Sequence, residues 1–228
     1  MIKLTIFLAY VFGSGADTSH LKSDFTLLGK SMSFDCYSAN IQYKVYLDNK
    51  LAETSNSSIK MDQDFYHITL GTVTKINGKQ YNVLLDEVNK VMVVSKSEKN
   101  LKLLSQRPPI DSFLSKAQEI KESQIDSVTR RYSFTLSDCK EKAVQIDIDL
   151  TTYQIKRIFM VLQEPFVDFN NQEHEKSIEI NYLKYLRQDH IPESVFSTEA
   201  YMKVKSKTIS TTDKTKDYSI VDLLNEKQ

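Results

Sequence analysis

A chain of 228 residues with 40% apolar and 26% charged residues can bury a substantial core, and it is neither a disordered chain nor an integral membrane protein. Its 30 Lys and Arg residues balance its 30 Asp and Glu residues, so the formal net charge is zero. A nucleic-acid binder needs a basic excess to displace counterions from phosphates, so this balance argues against nucleic acid as a partner.

Residues 1–16 have the layout of a secretory signal peptide. Lys3 supplies one positive charge, residues 4–12 are largely apolar, and Ser14-Gly15-Ala16 places small residues where processing needs them. The apolar run is too short to span a bilayer. A buried first strand is the alternative interpretation. The pattern predicts cleavage before Asp17 and export of the remaining chain to the periplasm, with no transmembrane segment in the mature protein.

The chain contains two cysteines, Cys36 and Cys139. An oxidising compartment would permit a disulfide between them, but they could equally be two separate buried thiols. Both possibilities stay open at the level of sequence.

The first predicted elements are a helix and a strand. Leu21, Phe25, Leu28 and Met32 recur at helical spacing, which predicts one apolar stripe on a helix of about three turns. Asp17, Thr18 or Ser19 could cap its start. From Tyr37 the period changes to two, and a half-buried strand is predicted from the alternating residues Ala39, Ile41, Tyr43, Val45 and Leu47.

An antiparallel meander and a second helix are predicted next. Asn77-Gly78 lies between two apolar runs and predicts a two-residue hairpin turn with positive φ at both positions. After Pro108-Pro109, a second helix is predicted at 113–123, because Phe113, Leu114, Ala117 and Ile120 share one side.

A second group of strands completes the expected domain, residues 17–202. Its clearest strand alternates Val144, Ile146, Ile148 and Leu150 with polar residues. Residues 203–216 are rich in Lys, Ser and Thr and predict a mobile linker. Residues 218–224 are apolar again and could dock back as a short strand or helix, so 203–228 is expected to be a polar linker with a short C-terminal segment.

The sequence offers little that indicates chemistry. No nucleophile elbow, phosphate loop, dinucleotide fingerprint or zinc-protease motif occurs. Glu173-His174-Glu175 would make an incomplete metal site, because successive residues of an extended loop point apart. We therefore expect no catalytic residues, no metal and no cofactor, and a binding protein instead of an enzyme.

The order of helix, four-strand meander, helix and second strand group resembles the LolA-like and LolB-like lipoprotein-carrier superfamily. The resemblance is carried by the helix 21–32, the strand 37–46, Leu70-Gly71-Thr72, the hairpin 82–90 and the late strand 177–182. It covers most of residues 20–200 and contains no diagnostic short motif.

The resemblance implies an α+β fold, in which helices cover the concave face of a strongly curved antiparallel sheet, an incomplete barrel. It also implies a cavity for a lipid or a lipoprotein acyl chain. The inward strand faces supply the candidate ligand-binding residues Ile41, Tyr43, Val45, Tyr132 and Phe134. Alternatives are an envelope interaction or assembly protein with a filled core and no small-molecule ligand, and a hydrolase with an unrecognised site.

Overall fold

The structure is a computed structural model that describes residues 19–32, 36–97, 114–137, 139–205 and 208–224. The predicted signal peptide and the Pro108-Pro109 segment lie outside the described residues. No helix in the described ranges is both long enough and apolar enough to span a membrane.

A helix, α1 (Leu21–Ser31), precedes the strands, as its apolar spacing predicted. The first strands are β1 (Cys36–Leu47), β2 (Lys50–Asp62), β3 (Phe65–Leu70), β4 (Val73–Asn77), β5 (Tyr81–Asp86) and β6 (Val91–Lys96). Then follow β7 (Ala117–Asp126), β8 (Thr129–Leu136), β9 (Glu141–Asp149), β10 (Gln154–Leu162), β11 (Phe166–Val167), β12 (Glu173–His174) and β13 (Lys176–Arg187). The chain continues through a 3-10 turn (Glu193–Phe196), β14 (Met202–Lys205), β15 (Thr208–Thr211), a second 3-10 turn (Asp213–Thr215) and β16 (Ser219–Asp222).

Of the described strands, twelve form one sheet in the order β16-β6-β5-β4-β3-β2-β1-β13-β10-β9-β8-β7. The chain divides into two compact units. Unit 1 takes its residues from 1–33, 42–54 and 106–182, and unit 2 from 34–41, 55–105 and 183–228. The long strands β1, β2 and β13 therefore contribute residues to both units.

The core of unit 1 lies between α1 and the strands β7 to β10. Leu21 and Leu28 of the helix meet fully buried strand residues such as Val144, Ile146 and Ile148. Phe25 and Met32, the remaining residues of the predicted apolar stripe, pack against the same cluster. Burial of this many aliphatic and aromatic side chains is the main force that holds the helix on the sheet.

The core of unit 2 lies between the β5–β6 hairpin and the C-terminal part of the chain. Val83 and Val94 are fully buried beneath Met202. The segment predicted as a linker contains the hairpin β14–β15, and β16 pairs parallel to β6, with Ile220 opposite Met92. The apolar C-terminal segment thus docks as a strand.

The predicted fold class is wrong, because strands dominate the described residues and helices do not cover the sheet as a layer: α1 packs only on strands β7 to β10. Of the predicted second helix, residue 113 lies outside the described residues, only 114–116 are helical, and residues 117–123 belong to β7. A β-bulge between Ala117 and Glu119 explains the error. The extra residue brings Ala117 and Ile120 to the same core face, so a strand reproduces the spacing of three that indicates a helix.

The predicted turn at Asn77-Gly78 is also different from the prediction. The hairpin exists, but Asn77 pairs with Asn82, and Asn77 is not among the residues with positive φ. Gly78 is needed for space, because a Cβ there would lie 2.6 Å from the Phe196 carbonyl oxygen. A two-residue turn with positive φ at both positions joins β1 to β2 instead, at Asp48 and Asn49.

Both cysteines are free thiols and partly exposed. Burial, reinforced by the Asp62 carboxylate, raises the pKa of the Cys36 thiol, which keeps it protonated and less nucleophilic.

Candidate functional site

An apolar row crosses the sheet of unit 2 from strand to strand. Its residues lie directly opposite one another in the pairing register of β2, β3, β4, β5, β6 and β16. We call this set the apolar row, and it consists of Ile59, Ile68, Lys75, Leu84, Val93 and Val221. Since paired residues share a face, these side chains all project from the same side of the sheet.

The apolar row is incompletely covered. Ile59, Ile68, Leu84 and Val93 are half-buried, and Val221 keeps 43% of its surface exposed. Beside the row, Leu70 is 48% exposed. The opposite face of the same strands is closed, since Ile76, Val83 and Val94 are 0% exposed. One face of this sheet therefore forms a core, and the other presents apolar side chains to solvent.

At one end of this face the side chains are buried, and hydrogen bonds between polar groups hold them in place. The adjacent register row contains Met61, Tyr66, Asn77 and Asn82, all buried. The Asn77 side-chain amide donates to the Asp64 carbonyl at 2.7 Å and accepts from the Ser97 hydroxyl at 3.3 Å. Lys75 is the one charged member of the apolar row, and its ammonium nitrogen lies 5.5 Å from the centre of the Tyr66 ring.

The sequence does contain a pattern that indicates apolar side chains on both faces of these strands, but the prediction of site residues did not use it. Residues 83–85 and 91–94 are continuous apolar runs, not alternating ones. Such runs indicate strands with apolar side chains on both faces. The prediction concentrated on alternating strands, whose apolar faces form the cores.

The structure brings two of the predicted ligand-binding residues together, but inside the core of unit 1. Tyr132 and Phe134 are 0% and 1% exposed. Phe25 of α1 packs on both, with ring centres 5.2 and 6.3 Å away. Burial, followed by its hydrogen bond to Asp24, raises the pKa of the Tyr132 hydroxyl.

The other three predicted residues lie on β1. Ile41 is buried and belongs to unit 2, whereas Tyr43 and Val45 are half-buried and belong to unit 1. Burial raises the pKa of the Tyr43 hydroxyl. The five predicted residues therefore do not form one site within either unit.

A buried polar network pins α1 to the strands of unit 1. The Asp24 carboxylate is 3% exposed and accepts from Tyr132 Oη at 2.8 Å and from Arg130 Nη1 at 2.7 Å. Arg130 Nε lies 3.4 Å from Glu122 Oε1, which lies 2.7 Å from His20 Nδ1. These groups border the core and tie the helix to β7 and β8, and Glu122 Oε2 is the one atom of these side chains that is buried without a hydrogen-bond partner. The network therefore anchors the helix and opens on no described cavity.

The other face of the unit 1 sheet is charged. Arg131 binds Asp147 through two hydrogen bonds, of 2.7 and 2.8 Å. Arg157 Nε donates to Glu179 at 3.0 Å. Although burial alone would raise it, hydrogen bonds from Asn181, Arg157 and Lys44 hold the pKa of the Glu179 carboxyl below its usual value. This face carries an ion-pair ladder, and the half-buried Phe159 ring lies among its charges, with the Arg157 guanidinium 5.0 Å from the ring centre.

A cleft of about 350 Å³ in unit 2 is lined by Phe65, Tyr81, Phe196 and several hydroxyl residues, and the Lys79–Glu193 ion pair, at 2.6 Å, borders it. Among the described side chains, no three His, Cys, Asp or Glu residues gather as a metal site would require.

No family model matches the chain, and no curated protein does. The structure is similar to solved structures of low identity. One is an uncharacterised conserved protein from Thermus thermophilus, at 9% identity and a TM-score of 0.45, covering 89% of this chain and 98% of that one. MucB is similar at 10% identity and a TM-score of 0.44, covering 81% of this chain and 64% of that one.

A LolA superfamily protein from Nitrosomonas europaea is similar at 7% identity and a TM-score of 0.33, covering 78% of this chain and 97% of that one. LolA-like proteins are thus among the structures that this chain is similar to, as its order of elements predicted. The similarity concerns architecture alone, so function has to be argued from the residues of this chain.

Proposed function

We propose that this protein is an exported binding protein, not an enzyme, that holds a lipid or acyl chain on the apolar row of unit 2. The observation that supports the proposal is the exposed apolar face itself. An apolar sheet face normally packs against another layer, and burying it gains about 25 cal/mol per Å². A hydrophobic ligand would supply the missing layer.

The shape of the row favours a long, thin ligand. It crosses six strands, and five spacings of about 4.8 Å give a length of about 24 Å. An extended acyl chain is of comparable length and has no polar group along it.

A titration with a fluorescent fatty-acid analogue, in solution without vesicles, tests the proposal. Leu84→Asp places a charge in the middle of the row and should weaken binding by at least about tenfold, since one large apolar contact contributes about 1.5 kcal/mol or more. Val88→Asp is the matched control, because Val88 is 70% exposed in the β5–β6 turn and outside the row.

Two results would contradict the proposal. One is equal affinity of the Leu84→Asp and Val88→Asp variants. The other is absence of binding by the wild-type chain, which would favour the alternative of an envelope interaction protein with filled cores.

A further variant separates this site from the residues predicted by sequence. Phe134→Leu alters the core of unit 1 and should leave probe affinity unchanged, because Phe134 is not on the apolar row. A loss of affinity in this variant, with the protein still folded, would instead support a ligand site around Tyr132 and Phe134.

A further inference from the structure

The segment 166–174 of unit 1 forms a small hairpin, which we call the apolar hairpin. Phe166 pairs with His174 and Val167 with Glu173. Three apolar side chains are exposed on it: Phe166 at 41%, Val167 at 51% and Phe169 at 106% of the reference surface. The Phe169 side chain at the tip is thus fully exposed to solvent, so packing within the fold does not explain why an aromatic residue stands there.

The hairpin is held rigidly by its own polar groups. The Asp168 carboxylate accepts hydrogen bonds from the backbone N–H groups of Asn170 and Gln172, both at 2.8 Å. The backbone of Asp168 also donates to the Gln172 carbonyl at 3.0 Å and accepts from Asn171 at 3.0 Å. The tip therefore satisfies much of its backbone internally, which is the condition for entering a medium that offers no hydrogen bonds.

A hydrogen bond between His174 and Asp48 fixes the base of the hairpin to the β1–β2 turn. His174 Nδ1 lies 2.7 Å from Asp48 Oδ2, and His174 Nε2 lies 3.5 Å from Asp168 Oδ2. Asp48 also accepts the backbone N–H of Glu175 at 2.9 Å. Because the hairpin is ordered in advance, exposing its apolar side chains to a partner costs little additional conformational entropy.

The arrangement of the three apolar residues indicates what they contact. Consecutive residues of a strand point to opposite faces, so Phe166 and Val167 lie on opposite sides of the ribbon, with Phe169 at its tip. A folded protein partner would cover one side. It would also need to bury roughly 1,000 Å² or more, which a two-stranded ribbon of this size does not offer.

We propose that the apolar hairpin inserts into the interfacial region of a lipid bilayer. A fluid lipid surface can surround both sides of the ribbon and its tip at once. The tip residues 169–172 carry no charge, the Asp168 carboxylate lies 3.5 Å from His174 Nε2, and the exposed Glu173, opposite Val167, adds a negative charge behind the tip. Insertion therefore does not depend on anionic lipid, and vesicles of phosphatidylcholine are the appropriate probe.

The absence of tryptophan from the chain allows a direct test. Phe169→Trp creates the single tryptophan of the chain at the tip of the hairpin, and its emission can be excited selectively over that of the 12 tyrosines. Val88→Trp is the matched control, because Val88 also lies in an exposed turn in which an Asp carboxylate, that of Asp86, accepts the N–H groups of Val88 and Asn89 at 3.0 Å. Each variant is titrated with phosphatidylcholine vesicles, with and without brominated chains.

The Phe169→Trp emission should shift to the blue and be quenched by the brominated lipid, and the control should not change. When Val167→Ser is added to the Phe169→Trp variant, the partition coefficient into the vesicles should fall by about threefold, because about half the burial of a valine side chain is lost. An unchanged Phe169→Trp spectrum, an equal shift in the control, or a shift that grows with protein concentration without vesicles would overturn the proposal.

This inference does not rest on the apolar row. The vesicle titration and the fatty-acid titration can therefore each give a negative result without affecting the other. The Phe169→Trp variant should retain wild-type affinity for the fatty-acid probe in vesicle-free solution. Loss of vesicle binding with intact probe binding would refute only the apolar hairpin, and the reverse result would refute only the apolar row.

Discussion

Removal of the Asp24 carboxylate should strongly destabilise unit 1. Asp24→Ala leaves the Arg130 guanidinium, whose side chain is only 13% exposed, without its partner at 2.7 Å, and Tyr132 Oη without its acceptor at 2.8 Å. Breaking a buried ion pair by removing one partner costs about 3–5 kcal/mol. We expect a loss of unfolding free energy in that range.

The contribution of the tyrosine can be separated from that of the arginine. Tyr132→Phe removes only the hydroxyl donor, so we expect a loss of about 0.5–1.5 kcal/mol. In the double variant Asp24→Ala/Tyr132→Phe the two losses should not add, because both remove the same hydrogen bond. The coupling energy should be about 0.5 kcal/mol or more.

The assay is equilibrium unfolding in urea followed by circular dichroism, with hydrogen exchange of the α1 amides to localise the loss. Glu119→Ala is a suitable control, since this carboxylate lies on β7 with its side chain 52% exposed and its partner, Lys121, is exposed as well. If Asp24→Ala cost less than about 1 kcal/mol, or left the exchange of α1 unchanged, the network would not be the anchor of the helix.

Three further outcomes are expected. Gly78→Ala should cost about 1–3 kcal/mol in urea unfolding, because its Cβ would lie 2.6 Å from the Phe196 carbonyl oxygen, and wild-type stability would contradict this packing. The hydrogen bond to Asp48 raises the pKa of His174 above its usual value of 6.5. Hydrogen-exchange protection of the apolar hairpin should therefore be full below about pH 6.5 and fall as the pH rises through the raised pKa. His174→Gln should abolish this pH dependence, and protection that does not change with pH in the wild type would refute the role of His174. N-terminal sequencing of the exported chain should begin at Asp17 or within a few residues of it, whereas an intact N-terminus would exclude cleavage.

The sequence predicted helices and strands correctly where the spacing of apolar residues kept one period along the whole element. Helix α1 and strand β1 follow directly from their apolar stripes, whose residues are buried or half-buried in the structure. The spacing of apolar residues gave a wrong prediction where the backbone is irregular. The bulge after Ala117 shifts the pairing register by one residue, so apolar residues three apart lie on one face, as they would in a helix. A bulge depends on pairing with β8, which lies beyond any local pattern.

The candidate site was harder to predict for a related reason. Alternation shows that Tyr132 and Phe134 share an apolar face, but not whether a helix fills the space in front of it. In the structure α1 fills that space with Phe25. The apolar row depends on the register between six strands, and register is fixed by tertiary pairing. Only the continuous apolar runs of β5 and β6 were visible in advance.

The parallel pairing of β16 with β6 has a consequence for the order of synthesis. Unit 2 joins residues from 34–41 and 55–105 to residues 183–228, and its edge strand is Ser219–Asp222. A growing chain can form the β3–β6 meander early, but β6 has to wait for more than half of the chain before this neighbour exists. During that interval its edge is open to other strands. Premature termination shortly before Ser219 should therefore yield a chain prone to aggregation.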